Sequence, residues 1–287
     1  MIESWKRAEL AKLREKYKLN FSKALGQNFL TDGNTLEKIT TSADLNTDDH
    51  VIEIGPGAGA LTVFLAEAAE QVTAIEIDKR LMPVLRDVTE GLSNVEIVNE
   101  DFLEYKLPSS NTPYKLVGNL PYYITTPIIA KIFEPERVKE GVEIGARPVP
   151  PTLAVFMMQK EVAERLISPP GKKTYGAISV LVQYYTEAEM LFTVSREVFI
   201  PKPGVDSAVI RLKPRDLSGD DPVVTEKMFR LVRSGFNKRR KTLRNSLSDS
   251  GFSEEALLNA LEKAGIDPIR RAETLSPRDF YTVASFL

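Results

Sequence analysis

The strongest constraint on the fold is a regular alternation of apolar and helical segments between residues 51 and 158. Segments with helical spacing, such as 60–69 and 79–90, separate short apolar stretches. Five of these stretches have the composition of buried strands: 51–54, 71–77, 95–98, 114–118 and 152–158. Strands that alternate with helices of this length are typical of a mostly parallel, doubly wound sheet. The sequence therefore predicts an α/β, Rossmann-like domain that binds its ligand at the carboxyl ends of the strands.

The rest of the chain predicts two further parts. The charged residues 1–20 have the pattern of a solvated helix with Leu10 and Leu13 on one side. The pattern beyond the turn-forming linker 213–222 is helical, with Ser253 and Ser276 as N-caps. Loops are expected at 140–151 and 169–176. We therefore predict three parts: an N-terminal helical extension at 1–20, a Rossmann-like domain at 21–213 and a small all-helical C-terminal domain at 214–287.

Composition excludes several kinds of chemistry. The chain has no cysteine and a single histidine, His50. Disulfides, thiolate catalysis and sites built from several histidines are therefore excluded, and we expect no metal. His50 follows two aspartates and is interpreted as a surface-loop residue. No stretch has the apolar core of a signal peptide or reaches 18 apolar residues, so we expect a soluble, cytoplasmic protein with no membrane partner.

A net charge of −2 conceals one strongly basic segment. Residues 227–245 contain eight basic residues and no acidic one: Lys227, Arg230, Arg233, Lys238, Arg239, Arg240, Lys241 and Arg244. Such a local concentration of charge favours phosphate binding. On a helix, Arg240, Lys241 and Arg244 would share one face. We predict RNA phosphate contacts at four positions, Arg239, Arg240, Lys241 and Arg244. A solvated charged face is the alternative.

A glycine turn and two acids predict a nucleotide-like cofactor. Residues 53–62 read Glu-Ile-Gly-Pro-Gly-Ala-Gly-Ala-Leu-Thr, in which Gly55 and Gly57 would let the backbone approach a ligand. Glu76 ends the next strand, where a carboxylate can accept hydrogen bonds from ribose hydroxyls. This pair fits NAD equally well. Asp101, after the third strand, is less expected of NAD enzymes and suits an adenine amino group. A plain turn with solvated acids is the alternative.

The tetrapeptide Asn119-Leu120-Pro121-Tyr122 favours methyl transfer to an amino nitrogen. The lone pair of adenine N6 is delocalised into the ring, and two acceptors on its hydrogens favour the pyramidal nitrogen that attacks. The Asn119 side-chain oxygen and the Leu120 carbonyl are the predicted acceptors, because Pro121 restricts Leu120 to extended conformations. Tyr122 offers a face on which the base can stack. A proline turn after a strand is the alternative.

A second proline-rich motif, Phe199-Ile200-Pro201-Lys202-Pro203, predicts a rigid extended turn. Its prolines would hold Phe199 in a fixed position, where the ring could sandwich the target base against Tyr122. The alternative is a core phenylalanine in a turn at a sheet edge.

Four segments together resemble one known family. They are 23–30 (Lys-Ala-Leu-Gly-Gln-Asn-Phe-Leu), 53–57, 119–123 and 199–203. They resemble the small-subunit (16S) ribosomal RNA adenine dimethyltransferases, and the similarity extends from about Lys18 to the end of the chain. The resemblance implies a Rossmann-like methyltransferase that converts S-adenosylmethionine to S-adenosylhomocysteine. Its implied substrate is a pair of adjacent adenosines in the 3′-terminal hairpin loop of 16S rRNA, which it dimethylates at N6 within the immature small ribosomal subunit.

The resemblance also implies the roles of individual residues. The implied cofactor contacts are Asn28, Leu30, Gly55, Glu76, Asp101 and Asn119, of which Asn28 and Leu30 rest on the resemblance alone. The implied contacts to the target base are Asn119, Leu120, Tyr122 and Phe199. The first 17 residues lie outside the shared motifs, and the stretch 137–151 is longer than the family pattern. We expect a monomer.

Three alternatives remain open from the sequence. The nearest is a methyltransferase of the antibiotic-resistance type, which acts on large-subunit rRNA. Another is an assembly factor that binds RNA and uses S-adenosylmethionine only as a ligand. The intact Asn119, Pro121 and Tyr122 argue against lost catalysis. A dehydrogenase is the weakest alternative.

Overall fold

A computed structural model describes residues 2–19, 26–108, 112–121, 124–133 and 149–287 of the chain. It contains nine strands: β1 Phe29–Leu30, β2 His50–Ile54, β3 Gln71–Ile75, β4 Val95–Val98, β5 Lys115–Asn119, β6 Leu153–Gln159, β7 Thr186–Val194, β8 Phe199–Ile200 and β9 Ser207–Pro214. The α-helices of the described residues are α1 Arg7–Lys16, α2 Gly33–Ser42, α3 Ala60–Ala68, α4 Met82–Val88, α5 Thr125–Phe133, α6 Lys160–Leu166, α7 Ala177–Tyr185, α8 Pro222–Asn237, α9 Leu243–Ser246, α10 Glu254–Lys263 and α11 Pro277–Ser285.

Seven strands form one sheet in the order β4-β3-β2-β5-β6-β9-β7. The neighbours from β4 to β6 are parallel, and β9 pairs antiparallel with β6. Side chains on the central strands are fully buried, as Ile52, Val72 and Leu116 show. A parallel sheet is covered on both faces, which explains why these strands are continuous apolar runs. The predicted α/β, doubly wound fold is confirmed.

A two-stranded pairing adds to this sheet. β1 pairs antiparallel with β8, so that Phe29 lies opposite Ile200 and Leu30 opposite Phe199. The sequence predicted neither strand, because each has only two residues and their partners are far apart in the chain. This pairing fixes the segment around Asn28 next to the carboxyl ends of the central strands.

The N-terminal helix is packed rather than solvated, contrary to the expectation. Leu10 and Leu13 of α1 are buried in an apolar cluster with Phe29, Ala58 and Val63. The polar side of the helix is exposed, which is why its composition suggested a solvated helix. His50 is also corrected: it begins β2, and its Nε2 lies 2.9 Å from Thr73 Oγ1. Burial lowers the pKa of His50.

The chain divides into two compact units, Met1–Ala163 with Glu189–Pro214 and Glu164–Ala188 with Arg215–Leu287. The sequence placed residues 164–188 in the Rossmann-like domain, whereas the structure groups them with the C-terminal helices. Within that unit the Tyr175 hydroxyl donates to the carbonyl of Leu275 at 2.9 Å. Such contacts between distant segments leave no signature in the local sequence pattern.

The C-terminal helices begin where capping signals predicted them. Ser253 accepts from the Ala256 amide, and Ser276 forms a reciprocal capping box with Asp279. The basic segment, however, is not a continuous helix. α8 ends at Asn237 and α9 begins at Leu243, with a turn closed by the bond from the Lys241 amide to the Lys238 carbonyl.

The expectation that Arg240, Lys241 and Arg244 share one helix face is therefore wrong. On a helix Arg244 would lie three and four residues from two like charges, which repel at that spacing, and the turn removes this arrangement. In the part of the chain that the structure describes, no helix has the length and apolar character needed to cross a membrane.

Candidate active site

One cavity lies at the carboxyl ends of β2, β3 and β5, and occupies about 1140 Å³ with its open mouth included. Its walls come from the first compact unit. The lining includes each predicted cofactor contact, Asn28, Leu30, Gly55, Gly57, Glu76, Asp101 and Asn119, and also Leu120. The sequence segments that carry these residues therefore converge on a single site, at the edge of the sheet where parallel α/β folds bind ligands.

Gly55 and Gly57 shape the turn between β2 and α3. Their φ angles are +69° and +61°, in the left-handed region that favours glycine. A Cβ atom on Gly57 would lie 3.2 Å from Cε1 of Phe29. The glycines therefore permit both the turn and the close packing that leaves the cavity open beside the backbone.

Glu76 is held in place by the backbone. Its Oε2 accepts from the Gly57 amide at 3.0 Å, and its Oε1 accepts from the Asp78 amide at 2.9 Å. Burial raises the pKa of Glu76, while these backbone hydrogen bonds oppose the rise. Each carboxylate oxygen can accept a further bond. The fixed carboxylate thus suits a pair of ribose hydroxyls.

Asp101 is positioned by a turn after β4. Its Oδ1 accepts from the Leu103 amide at 2.9 Å, and its carbonyl accepts from the amides of Glu104 and Tyr105. The half-buried carboxylate still has acceptor capacity at Oδ2. This arrangement suits a donor such as an exocyclic amino group.

Asn119 is oriented by Asn28. As the last residue of β5, Asn119 donates from Nδ2 to the Asn28 carbonyl at 3.2 Å. Asn28 in turn donates from its own Nδ2 to Gly26. With its nitrogen engaged, the Asn119 amide has its Oδ1 left as an acceptor. Asn28, which entered the prediction only through the family resemblance, therefore has a physical role in positioning the amide.

The backbone after Asn119 is fixed by neighbouring elements. The Leu120 amide donates to Met157 of β6 at 2.9 Å, and the Pro121 carbonyl accepts from the Ile124 amide and from the Thr125 hydroxyl. Among the residues the structure describes, none donates to the Leu120 carbonyl. Tyr122, the predicted stacking residue, lies outside the described residues.

Phe199 lies elsewhere, which corrects the prediction that it faces the target base. Its side chain is 2% exposed and packs in an apolar cluster with Leu30, Leu36 and Ile39. The pairing of β8 with β1 turns the ring into this core. The alternative interpretation, a core phenylalanine in an edge turn, describes its place in the structure.

Two residues of the cavity were missed by the sequence reasoning. Glu53 is fully buried in β2, where the Thr62 hydroxyl donates to its Oε2 at 2.6 Å, and burial raises the pKa of Glu53 to about 8. Ile77 follows Glu76, lines the cavity and is 45% exposed. An acid inside an apolar strand was the available signal for Glu53. Ile77 had none, since it reads as the end of a strand.

The predicted RNA contacts belong to the second unit and fall into two groups. Arg239 forms an ion pair with Glu273 at 3.2 Å and donates to the carbonyls of Lys173 and Tyr175. Arg244 forms an ion pair with Glu254 at 2.7 Å. Arg240 and Lys241 are exposed, and no ion pair joins them to another described residue. These two side chains therefore have the larger share of uncompensated charge.

The chain combines a mostly parallel sheet that carries the antiparallel strand β9, a glycine turn after β2, the backbone-held carboxylate of Glu76 and an asparagine at the end of β5. These features together define a Rossmann-like methyltransferase. Comparison with known proteins narrows this class. The family model for ribosomal RNA adenine dimethylases matches residues 18–287. The chain belongs to this family.

Relatives agree over most of the chain. Ribosomal RNA small subunit methyltransferase A of Clostridioides difficile is 43% identical over 280 residues, which cover 95% of this chain and 93% of that protein. The enzyme of the same name from Alkaliphilus metalliredigens is 45% identical, with 94% and 92% covered. A dimethyladenosine transferase from Plasmodium falciparum has a similar structure, with a TM-score of 0.74, 26% identity, and 89% and 95% covered. The structure of the 23S rRNA methyltransferase ErmE is also similar, with a TM-score of 0.69 and 30% sequence identity. The match covers 90% of this chain and 99% of that chain.

Proposed function

We propose that this protein transfers methyl groups to N6 of two adjacent adenosines in the 3′-terminal hairpin loop of 16S rRNA, giving N6,N6-dimethyladenosines. The observation that carries the proposal is the hydrogen bond from Asn119 Nδ2 to the Asn28 carbonyl. It leaves Oδ1 as an acceptor at the cavity where the methyl donor is expected. The family and its small-subunit relatives support the choice of substrate.

The cavity suits S-adenosylmethionine as the cofactor. Glu76 has acceptor capacity for the ribose hydroxyls, and Asp101 has an acceptor for the adenine amino group. Gly55 and Gly57 keep the space beside the turn free of side chains. S-Adenosylmethionine supplies an electrophilic methyl group on a sulfonium, so that no metal is needed for the transfer.

The chain's own contribution is to position and polarise the amino nitrogen. Asn119 Oδ1 and the Leu120 carbonyl each accept one N6 hydrogen, which directs the nitrogen lone pair out of the ring plane. Their placement before the reaction lowers the entropic part of the barrier. The target base must leave its stack to reach them, so a hairpin loop is a better substrate than a duplex.

The second unit is the proposed RNA-binding part. Arg240 and Lys241 supply exposed charge for phosphates, and Arg239 is close enough to the basic loop 169–176 to bond the Lys173 carbonyl at 3.0 Å. The proposed partner is the 16S rRNA of the immature small subunit. We propose that the protein acts there as a monomer in the cytoplasm, where such a subunit is assembled.

The test is methyl transfer from radiolabelled S-adenosylmethionine to isolated immature small subunits. Label should appear in the 3′-terminal 16S fragment as dimethyladenosine. Label in the protein-bound cofactor alone, with none in RNA, would instead favour a role in assembly without catalysis.

A second candidate is methylation of large-subunit rRNA, since the chain is 30% identical to the 23S rRNA methyltransferase ErmE. Protein-free 23S rRNA offered in the same assay separates the two. Labelling of 23S rRNA with unlabelled small subunits would replace the proposed substrate.

A further inference from the structure

The N-terminal segment Ile2–Lys16 borders the cofactor cavity, although it lies outside the residues 18–287 that match the family. Ser4 is one of the residues that line the cavity. It stands there beside residues of α2 and α3, among them Leu36 and Leu61. A part of the chain that the family pattern does not include therefore forms part of the cofactor site.

Aromatic packing holds Ser4 in place. The neighbouring Trp5 makes an edge-to-face contact with Phe64 of α3, with ring centroids 4.9 Å apart. Trp5 also packs on the start of α2, where a Cβ atom on Gly33 would lie 3.2 Å from Trp5 Nε1. These contacts place Ser4 where α2 and α3 approach each other.

The rest of the segment is attached to the walls of the same cavity. Leu10 and Leu13 pack in one cluster with Phe29 and Ala58, and both of these residues line the cavity. Lys16 forms a 2.6 Å ion pair with Asp87 of α4. Docking of the segment and the shape of the cavity are therefore linked through shared contacts.

Ser4 is the residue that this segment contributes to the lining of the cavity, and it carries a hydroxyl. Ser4 is 1% exposed, and its Oγ has no hydrogen-bond partner among the described residues. A buried hydroxyl without a partner destabilises the folded state, so a ligand atom that bonds it is favoured. Rotation about its Cα–Cβ bond lets a serine direct its hydroxyl to a ligand in the space that it lines.

The position of Ser4 indicates which end of a ligand it meets. Glu76 and Asp101 follow β3 and β4, and they mark the end that suits a ribose and an adenine. Ser4 lies instead next to Trp5, which packs on Gly33 at the start of α2 and on Phe64 of α3, away from the ends of β3 and β4. The ligand group expected there is the amino-acid tail of the cofactor, with its ammonium and carboxylate.

We propose that the Ser4 hydroxyl hydrogen-bonds the amino-acid tail of the bound cofactor, so that the N-terminal segment is a functional wall of the site. The proposal rests on S-adenosylmethionine being the cofactor, as proposed above. It assigns a binding role to residues outside the family pattern.

The test compares two ligands by calorimetric titration of wild type and Ser4→Ala. S-Adenosylhomocysteine carries the amino-acid tail, whereas 5′-methylthioadenosine has the same nucleoside and sulfur without it. Ser4→Ala should weaken the binding of S-adenosylhomocysteine by about 3- to 10-fold, which corresponds to the loss of one hydrogen bond. The affinity for 5′-methylthioadenosine should change by less than about 2-fold, since that ligand lacks the partner of Ser4. The ligand-free variant should melt no lower than wild type, because it has lost only an unpartnered hydroxyl.

Ser250→Ala is the matched control. Its hydroxyl is also buried without a partner among the described residues, but it belongs to the other unit and is not among the residues that line the cavity. It should leave both affinities unchanged. Three results for Ser4→Ala would each overturn the proposal. These are an equal loss of affinity for both ligands, an unchanged affinity for S-adenosylhomocysteine, and a melting temperature below that of wild type. Wild type that binds neither ligand would overturn the proposed cofactor as well, which distinguishes the two failures.

Discussion

The cofactor cavity and the basic segment 227–245 are built in opposite ways. In the cavity, the polar atoms are fixed by backbone groups: Glu76 by the amides of Gly57 and Asp78, and Asn119 by the carbonyl of Asn28. In the basic segment, Arg240 and Lys241 are exposed side chains on a turn. The first region can hold a ligand in one geometry, and the second supplies charge without a fixed geometry.

This difference teaches how each region should respond to change. Loss of one atom in a fixed site removes an interaction that no neighbour can replace. Loss of one charge on an exposed turn is partly compensated, because the remaining charges still attract phosphate. Substitutions in the cavity should therefore have large, specific effects, and those in the basic segment should have smaller effects that depend on salt.

The largest effect is expected at Asn119. Asn119→Ala removes one of the two acceptors for the amino hydrogens and should lower the rate of methyl transfer by about 100-fold or more, as for other preorganised groups at reaction centres. RNA affinity, measured by filter binding, should remain close to wild type. Asn119→Asp keeps an acceptor oxygen but loses the donor to the Asn28 carbonyl, so its rate of methyl transfer should lie between those of wild type and Asn119→Ala. Turnover near wild type in Asn119→Ala would exclude the mechanism.

Glu76 tests the cofactor side of the cavity. Glu76→Ala leaves the amides of Gly57 and Asp78 without their acceptor and removes the acceptor for ribose. The dissociation constant of S-adenosylhomocysteine, measured by titration calorimetry, should rise by at least about 30-fold. Glu67→Ala, which removes an exposed carboxylate from α3, serves as the control and should bind normally. If Glu76→Ala bound S-adenosylhomocysteine as tightly as wild type, the nucleoside would lie elsewhere.

The basic segment should respond less strongly. Double reversal of Arg240 and Lys241 to glutamate should weaken RNA binding by about 10-fold and reduce the slope of log affinity against log salt by about 1.4, at roughly 0.7 for each phosphate contact to single-stranded RNA. The affinity for S-adenosylhomocysteine should not change. Reversal of two other exposed lysines, Lys213 and Lys263, is the matched control. An unchanged salt slope in the Arg240 and Lys241 variant would refute the assignment.

The remaining prediction concerns Glu53, whose effect appears in stability rather than in rate or affinity. Its pKa is raised from 4.5 to about 8, so the folded protein favours the neutral carboxyl while the unfolded chain favours the ionised one. The unfolding free energy should therefore fall as pH rises from about 4.5 to about 8.

Glu53→Gln should remove that part of the pH dependence and raise the melting temperature at pH 8 more than at pH 5. Calorimetry should show a rise in melting temperature of roughly 2–4 °C for each kcal/mol of unfolding free energy that the substitution recovers. Glu67→Gln, on the exposed side of α3, should show no such difference. If the melting temperature of Glu53→Gln depended on pH as that of wild type does, the Glu53 carboxyl would not be the source of the pH-dependent stability.

The sequence predicted what depends on local pattern and missed what depends on distant contacts. The central strands could be predicted because each is a continuous apolar run, and the caps Ser253 and Ser276 because capping is a local interaction. The pairing of β1 with β8 could not, since it joins residues 29–30 to 199–200. Phe199 was misplaced for the same reason: its burial comes from this pairing and not from its own motif.

The basic segment shows a different limit. Its charge could be predicted from the sequence, but the end of α8 at Asn237 could not, because no proline or glycine directly follows that residue and Gly235 lies inside the helix. Arg239 and Arg244 were grouped with Arg240 and Lys241 although their charges are paired with Glu273 and Glu254. A residue list gives the number of cations but not the number that are free of an acidic partner.

The pairing of β1 with β8 also sets an order of events during synthesis. Asn28 holds the amide of Asn119, yet the segment that carries Asn28 is secured by residues 199–200. A nascent chain that extends just beyond Tyr122 therefore contains the tetrapeptide 119–122, proposed to be catalytic, but not the contact that fixes the strand beside it. Only when about two thirds of the polypeptide has left the ribosome can the site take its final form. An enzyme proposed to modify unfinished ribosomes thus gains its own competence late in its translation.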